Sequence, residues 1–185
     1  YNHDNKIDDN DKQIVGSLIP RYTYGLTLDF GWKGINVSAQ FQGVGKADAY
    51  ISGAYTQPCV SGGTFQKGHL DNWTPENPGA KYPRLSYTSD LNKKPSTFWM
   101  ADASYCRLKN LQVSYTFPAS VVKALRVQGL MVYANATNLF TLSDYYDGYD
   151  PETAYQSGSQ GATTGSIGNN YPLVSTYTFG VEIKF

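Results

Sequence analysis

Leu173-Val174-Ser175-Thr176-Tyr177-Thr178-Phe179-Gly180-Val181-Glu182-Ile183-Lys184-Phe185 is the stretch that decides the fold. Its odd positions are apolar apart from Ser175, and its even positions from Thr176 onward are small or polar. A period of two is the signature of a β-strand with two unlike faces. Working outward, Tyr24, Leu26, Leu28 and Phe30 alternate with Thr23, Gly25, Thr27 and Asp29, and after Trp32-Lys33-Gly34 the alternation resumes with Ile35, Val37, Ala39 and Phe41. These two runs predict a hairpin with a short turn. A third run over 105–117 sets Leu111, Val113, Tyr115 and Phe117 against Asn110, Gln112, Ser114 and Thr116, and Pro118 stops it. Ser120 is placed to cap one helical turn over 121–125, before a fourth strand from Arg126 to about Asn138 with Leu130, Val132, Ala134 and Ala136 on one face. The expectation is all-β, with about five antiparallel strands.

The connections alternate in length: 31–34 and 118–125 are short, whereas 43–104 and 139–172 are long. Transmembrane barrels have this asymmetry, with tight periplasmic turns, long extracellular loops and strands of about 9–11 residues. Tyr22, Tyr24, Trp32, Tyr105, Tyr115, Phe117, Tyr177 and Phe185 fall near the strand ends, where interfacial aromatic girdles lie. With the long loops outside, the last strand runs downward and Phe185 reaches the periplasmic rim. About five strands cannot close in lipid, where the smallest barrels need roughly eight, so 1–185 is expected to be part of a larger barrel. The chain begins at Tyr1 with neither Met nor a signal sequence, which points the expected N-terminus upstream.

Composition agrees. Sixteen Tyr and an aromatic fraction of 15% favour strands over helix bundles. The 15 basic and 15 acidic residues cancel, which removes the electrostatic basis for a nucleic-acid partner. No run of about 18 apolar residues is present to form a membrane helix, and that has no bearing on a barrel.

Several strings resemble, in order, the C-terminal region of the SusC/RagA family of TonB-dependent outer-membrane transporters. They include Ile19-Pro20-Arg21-Tyr22-Thr23-Tyr24-Gly25-Leu26, Asn72-Trp73-Thr74-Pro75-Glu76-Asn77-Pro78, Tyr105-Cys106-Arg107-Leu108-Lys109-Asn110-Leu111, Asn138-Leu139-Phe140-Thr141 and Gly148-Tyr149-Asp150-Pro151-Glu152. The resemblance implies a barrel of about 22 strands in the cell outer membrane, with a plug domain and first strands lying outside this chain. It further implies energy from TonB through that N-terminal region, a SusD-like surface lipoprotein, and an oligosaccharide or peptide ligand. Phe185 resembles the C-terminal aromatic by which such barrels are recognised for assembly. The alternative from another class is a soluble or surface β-sandwich module for glycan binding or adhesion, whose apolar face would meet a core.

The acidic opening resembles a calcium loop, with Asn2, Asp4, Asp8 and Asp11 as candidate Ca2+ ligands, although Asn5 stands where such loops carry Gly. A solvated turn whose Asx side chains bond their own backbone fits the same residues. Cys59 and Cys106 sit in or beside one predicted loop and are compatible with a bridge or with two free thiols. No catalytic residues are assigned: G-x-S-x-G, H-E-x-x-H and C-x-x-C strings are missing, His3 and His69 are distant in sequence, and Asp147, Asp150 and Glu152 belong to ordinary turn dipeptides. Among the loop aromatics, Trp73, Trp99, Tyr145 and Tyr149 are the candidates for meeting a ligand or partner, or else for packing the loops on one another. Arg107 and Lys109 share the parity of Leu111 and Val113, so they are expected on the outward face at the external rim, beside lipopolysaccharide phosphates.

Overall fold

The computed structural model describes residues 8–51, 57–59, 65–88, 92, 94, 96–145, 149–155 and 173–185. Five long strands, β1 (Tyr22–Trp32), β2 (Ile35–Gly45), β5 (Tyr105–Thr116), β6 (Gly129–Leu142) and β7 (Thr176–Lys184), form one antiparallel sheet in the order β1-β2-β5-β6-β7. Two short strands, β3 (Asp48–Tyr50) and β4 (Met100–Asp102), pair separately within the first long connection. Lys33 and Gly34 turn β1 into β2 with φ of 47° and 89°. Positive φ at both central residues is the hairpin geometry that follows strand twist, and glycine takes the second position without a Cβ penalty.

Register sorts the side chains into rows. On one face Trp32, Ile35, Tyr115, Val132 and Val181 stand across the five strands, then Phe30, Val37, Val113, Ala134 and Phe179, then Leu28, Ala39, Leu111, Ala136 and Tyr177. On the other face the rows are Gly31, Asn36, Ser114, Tyr133 and Gly180, then Asp29, Ser38, Gln112, Asn135 and Thr178. Among the described residues no second layer covers the apolar rows: Phe30 is 64% exposed, Phe179 79% and Val181 62%. Burying such a side chain is worth about 1.5–3 kcal/mol, so a water-soluble monomer would forgo that at position after position.

The buried residues lie elsewhere. Ala49, Ile51, Tyr82, Trp99, Ala103 and Tyr145 form a core outside the sheet, built from both long connections. Ile51 N–H donates to the Trp99 carbonyl at 2.6 Å and Ala103 N–H to that of Ala47 at 2.8 Å, extending β3 and β4 beyond their three ladder pairs. The first long loop therefore carries a small folded unit standing on the ends of β2 and β5.

Several boundaries differ from expectation, and β2 and β6 run on to Gly45 and Leu142, into the stretches expected as long connections. The last strand begins at Thr176 rather than Leu173, because Asn138 takes φ of 50° and leaves the ladder; its carbonyl accepts the Ser175 hydroxyl at 2.7 Å instead. The short helix α1 spans Ala119–Ala124 with Pro118 at its N-cap, so Ser120 lies inside the first turn and caps nothing. β6 starts at Gly129 because Arg126 takes φ of 57° and the Val127 N–H is tied to the Val122 carbonyl, which keeps that stretch in a turn until the Gln128 N–H reaches the Lys184 carbonyl of β7.

Candidate functional site

The ladder slips within β5: Asn110 pairs with Gln40 and Thr137, but Leu108 pairs with Phe41 and Phe140, leaving Lys109 unmatched. An extra residue reverses the parity of everything before it. Leu108 thereby joins the apolar face, and Arg107 comes to lie beside Gln42 and Thr141 on the polar face. The expectation that Arg107 and Lys109 lie on the apolar face beside lipopolysaccharide is therefore corrected; the bulge brings Arg107 to the polar face, where Lys109 shares Glu152 with it.

Arg107 is fully engaged there. Its Nε donates to Thr141 Oγ1 at 2.7 Å, one terminal nitrogen meets Asp150 Oδ1 at 2.6 Å and the other meets Glu152 Oε2 at 2.6 Å. Lys109 Nζ adds 2.8 Å contacts to both Glu152 carboxylate oxygens. The side chains of Arg107 and Asp150 are each 3% exposed, so the pair is shielded from water. Asp150 also accepts the backbone N–H groups of Glu152 at 2.9 Å and Leu173 at 3.2 Å. Burial pushes its carboxyl up, but the hydrogen bonds from Arg107 and the backbone, together with the Arg107 charge, outweigh that and hold it below its ordinary 3.8. Two cations and two carboxylates thus pin the second long loop to the polar wall of the sheet.

That loop is also joined to the first. Tyr145 is buried in the shared core, Tyr149 packs against it, and the Tyr149 hydroxyl meets Gln66 Nε2 at 3.1 Å. Ser143 Oγ donates to the Ser104 carbonyl at 2.8 Å. Burial, with the Tyr149 phenol adding to it, pushes the Tyr145 phenol up to about 12. This arrangement positions loops and offers no chemistry, since both carboxylates are committed to cations.

Known proteins share this architecture. The chain is 29% identical to TonB-dependent receptor P3 of Formosa agariphila over 97% of its length, and 29% identical to receptor P26 of the same organism over all of it. Structures of the RagAB peptide importer superpose on 94% of the chain, with a TM-score of 0.69 and 29% identity in the open-open state and 0.70 and 28% in the closed-closed state. The chain is SusC/RagA-like. It spans about a fifth of the curated relatives it matches, 18% and 19%, and 18% of the importer chain. No family model matches it. Its relatives are receptors and importers rather than enzymes.

The residues singled out in this SusC/RagA-like sequence fall into different settings. Trp99 and Tyr145 are loop-core residues, 4% and 7% exposed, whereas Trp73 is 40% exposed and Tyr149 is half-buried. Asn2 and Asp4, like His3, Tyr146 and Asp147, lie outside the described residues. Asp8 and Asp11 satisfy a local turn: Asp11 accepts from the Asp8 N–H at 3.0 Å and Asp8 from the Asn10 N–H at 2.8 Å. Cys59 and Cys106 are both free thiols. Phe185 is 87% exposed just past β7. The Arg107 anchor was missed, although the three-residue step from Leu108 to Leu111 marks the bulge that creates it.

Proposed function

We propose that this chain is barrel wall and outer loop of a TonB-dependent outer-membrane transporter that imports oligomeric nutrients, peptides or glycans. The observation that carries the reading is the set of continuous apolar rows left exposed on one face, backed by polar rows on the other. Such a sheet suits lipid outside and a polar lumen inside. A β-sandwich would bury the apolar rows under a second sheet, and among the described residues none is present.

On this reading the chain is the C-terminal part of a barrel of about 22 strands, with plug and TonB contact elsewhere in the protein. The long loops face outward, where a SusD-like lipoprotein would sit, and the likeness to the RagAB peptide importer makes peptides the first cargo to test. Trp73 and Tyr149 are the loop aromatics proposed to meet cargo or partner. A calcium ion at Asn2, Asp4, Asp8 and Asp11, and an assembly role for Phe185, belong to the same proposal.

The intact protein should remain in washed outer membranes and migrate differently on gels before and after boiling. Its deletion should abolish TonB-dependent uptake of labelled oligopeptides or oligosaccharides. A folded monomer recovered without detergent would overturn the membrane assignment, and unchanged uptake would overturn the transport role.

A further inference from the structure

We infer that the short-turn end of the sheet binds the headgroups of anionic phospholipids through Lys33, Lys123 and Arg126. The inference rests on the lipid-facing reading of the apolar rows and extends it to the rim. Lys33 occupies the β1–β2 turn, Lys123 lies on α1 and Arg126 follows it, so topology gathers all three at one end. All are exposed, and none has an ion-pair partner among the described residues. Glu182, on the β7 end beside this rim, lies 3.3 Å from Lys184. At the opposite end the reverse holds, with Arg107 and Lys109 neutralised by Asp150 and Glu152.

The apolar surroundings fit an interface. Lys33 Nζ sits 5.0 Å from the Trp32 ring, which heads the apolar row Trp32, Ile35, Tyr115, Val132 and Val181. α1 buries Val122 while Val121 and Leu125, one turn apart, are 37% and 57% exposed beside the two cations. Exposed apolar side chains next to unpaired cations are how a segment lies in a headgroup layer, stems in acyl chain and charges at phosphate. With short turns on the periplasmic side, the partner is the phospholipid of that leaflet.

The test is boundary-lipid selectivity of the intact transporter, reconstituted in bilayers containing spin-labelled phosphatidylglycerol or phosphatidylcholine. Wild type should prefer phosphatidylglycerol severalfold, with the preference fading at high salt. Lys33→Gln, Lys123→Gln and Arg126→Gln should each lower it by about twofold, and the triple variant should abolish it. Lys46→Gln, at the long-loop end, should leave it intact. Heat-modifiable migration reports folding, and the single variants carry the test if the triple does not fold. Unchanged preference in the three variants, or equal loss in Lys46→Gln, overturns the inference. A protein that immobilises no boundary lipid of either kind would instead overturn the barrel reading beneath it.

Discussion

The two ends of the sheet handle charge in opposite ways. At the long-loop end Arg107 and Lys109 are drawn inside and matched with Asp150 and Glu152, and the loops above them share a core of Trp99, Tyr82 and Tyr145. At the short-turn end Lys33, Lys123 and Arg126 stand exposed, and among the described residues the connections there have no comparable core. Charge enclosed by protein fixes one conformation, because a buried ion must keep its partner. Charge left at a rim fixes none and is available to whatever lies outside.

The largest effect should come from removing the enclosed cation. Arg107→Ala leaves Asp150 buried without its partner, a loss of about 3–5 kcal/mol. Hydrogen exchange and chymotrypsin sensitivity, through Tyr149 and Tyr155, should rise across 149–155 and leave 118–128 unchanged; a rise at both ends would show that they are not independent. The pH dependence follows from the lowered Asp150 value: a depressed carboxyl contributes stability above its unfolded pKa and loses it only as pH falls through the folded one. Loop protection should therefore persist as pH falls to 3.8 and disappear below it.

A smaller effect should separate the ends through glycine. Tyr133 lies over Gly180 near the short turns, and Tyr24 lies over Gly43 near the loops, so a Cβ at either glycine would strike a ring. At Gly43 it would also strike the Tyr105 backbone carbonyl, which cannot rotate away. Both Ala substitutions should lower thermal stability by about 1–3 kcal/mol, Gly43→Ala by more. Only Gly180→Ala should be rescued by trimming its tyrosine, and melting of the four variants decides this.

The smallest expected change is a gain. Tyr145 Oη is buried with no hydrogen-bond partner among the described residues. Tyr145→Phe should therefore hold or raise loop stability by up to about 1 kcal/mol, read as protease resistance of the first long loop. A loss of that size would mean that the hydroxyl is bonded after all.

The strands were legible because each alternates over about ten residues, and burial on one side enforces the period. Short turns were legible from Lys33-Gly34 and Pro118. The loop core was not, since Ile51, Tyr82, Trp99 and Tyr145 come from separated stretches with no shared period. Arg107 departs from expectation for a sharper reason: alternation does not run unchanged through Lys109, where the chain holds one residue more than the ladder can use.

That surplus residue makes β5 more sensitive to indels than to substitution. Changing Lys109 to another residue removes its two contacts with Glu152, whereas deleting it would move Arg107 to the apolar face and Leu108 to the polar face while leaving every other letter of the strand in place. Among relatives of this chain, length between Tyr105 and Leu111 should therefore be held more tightly than composition.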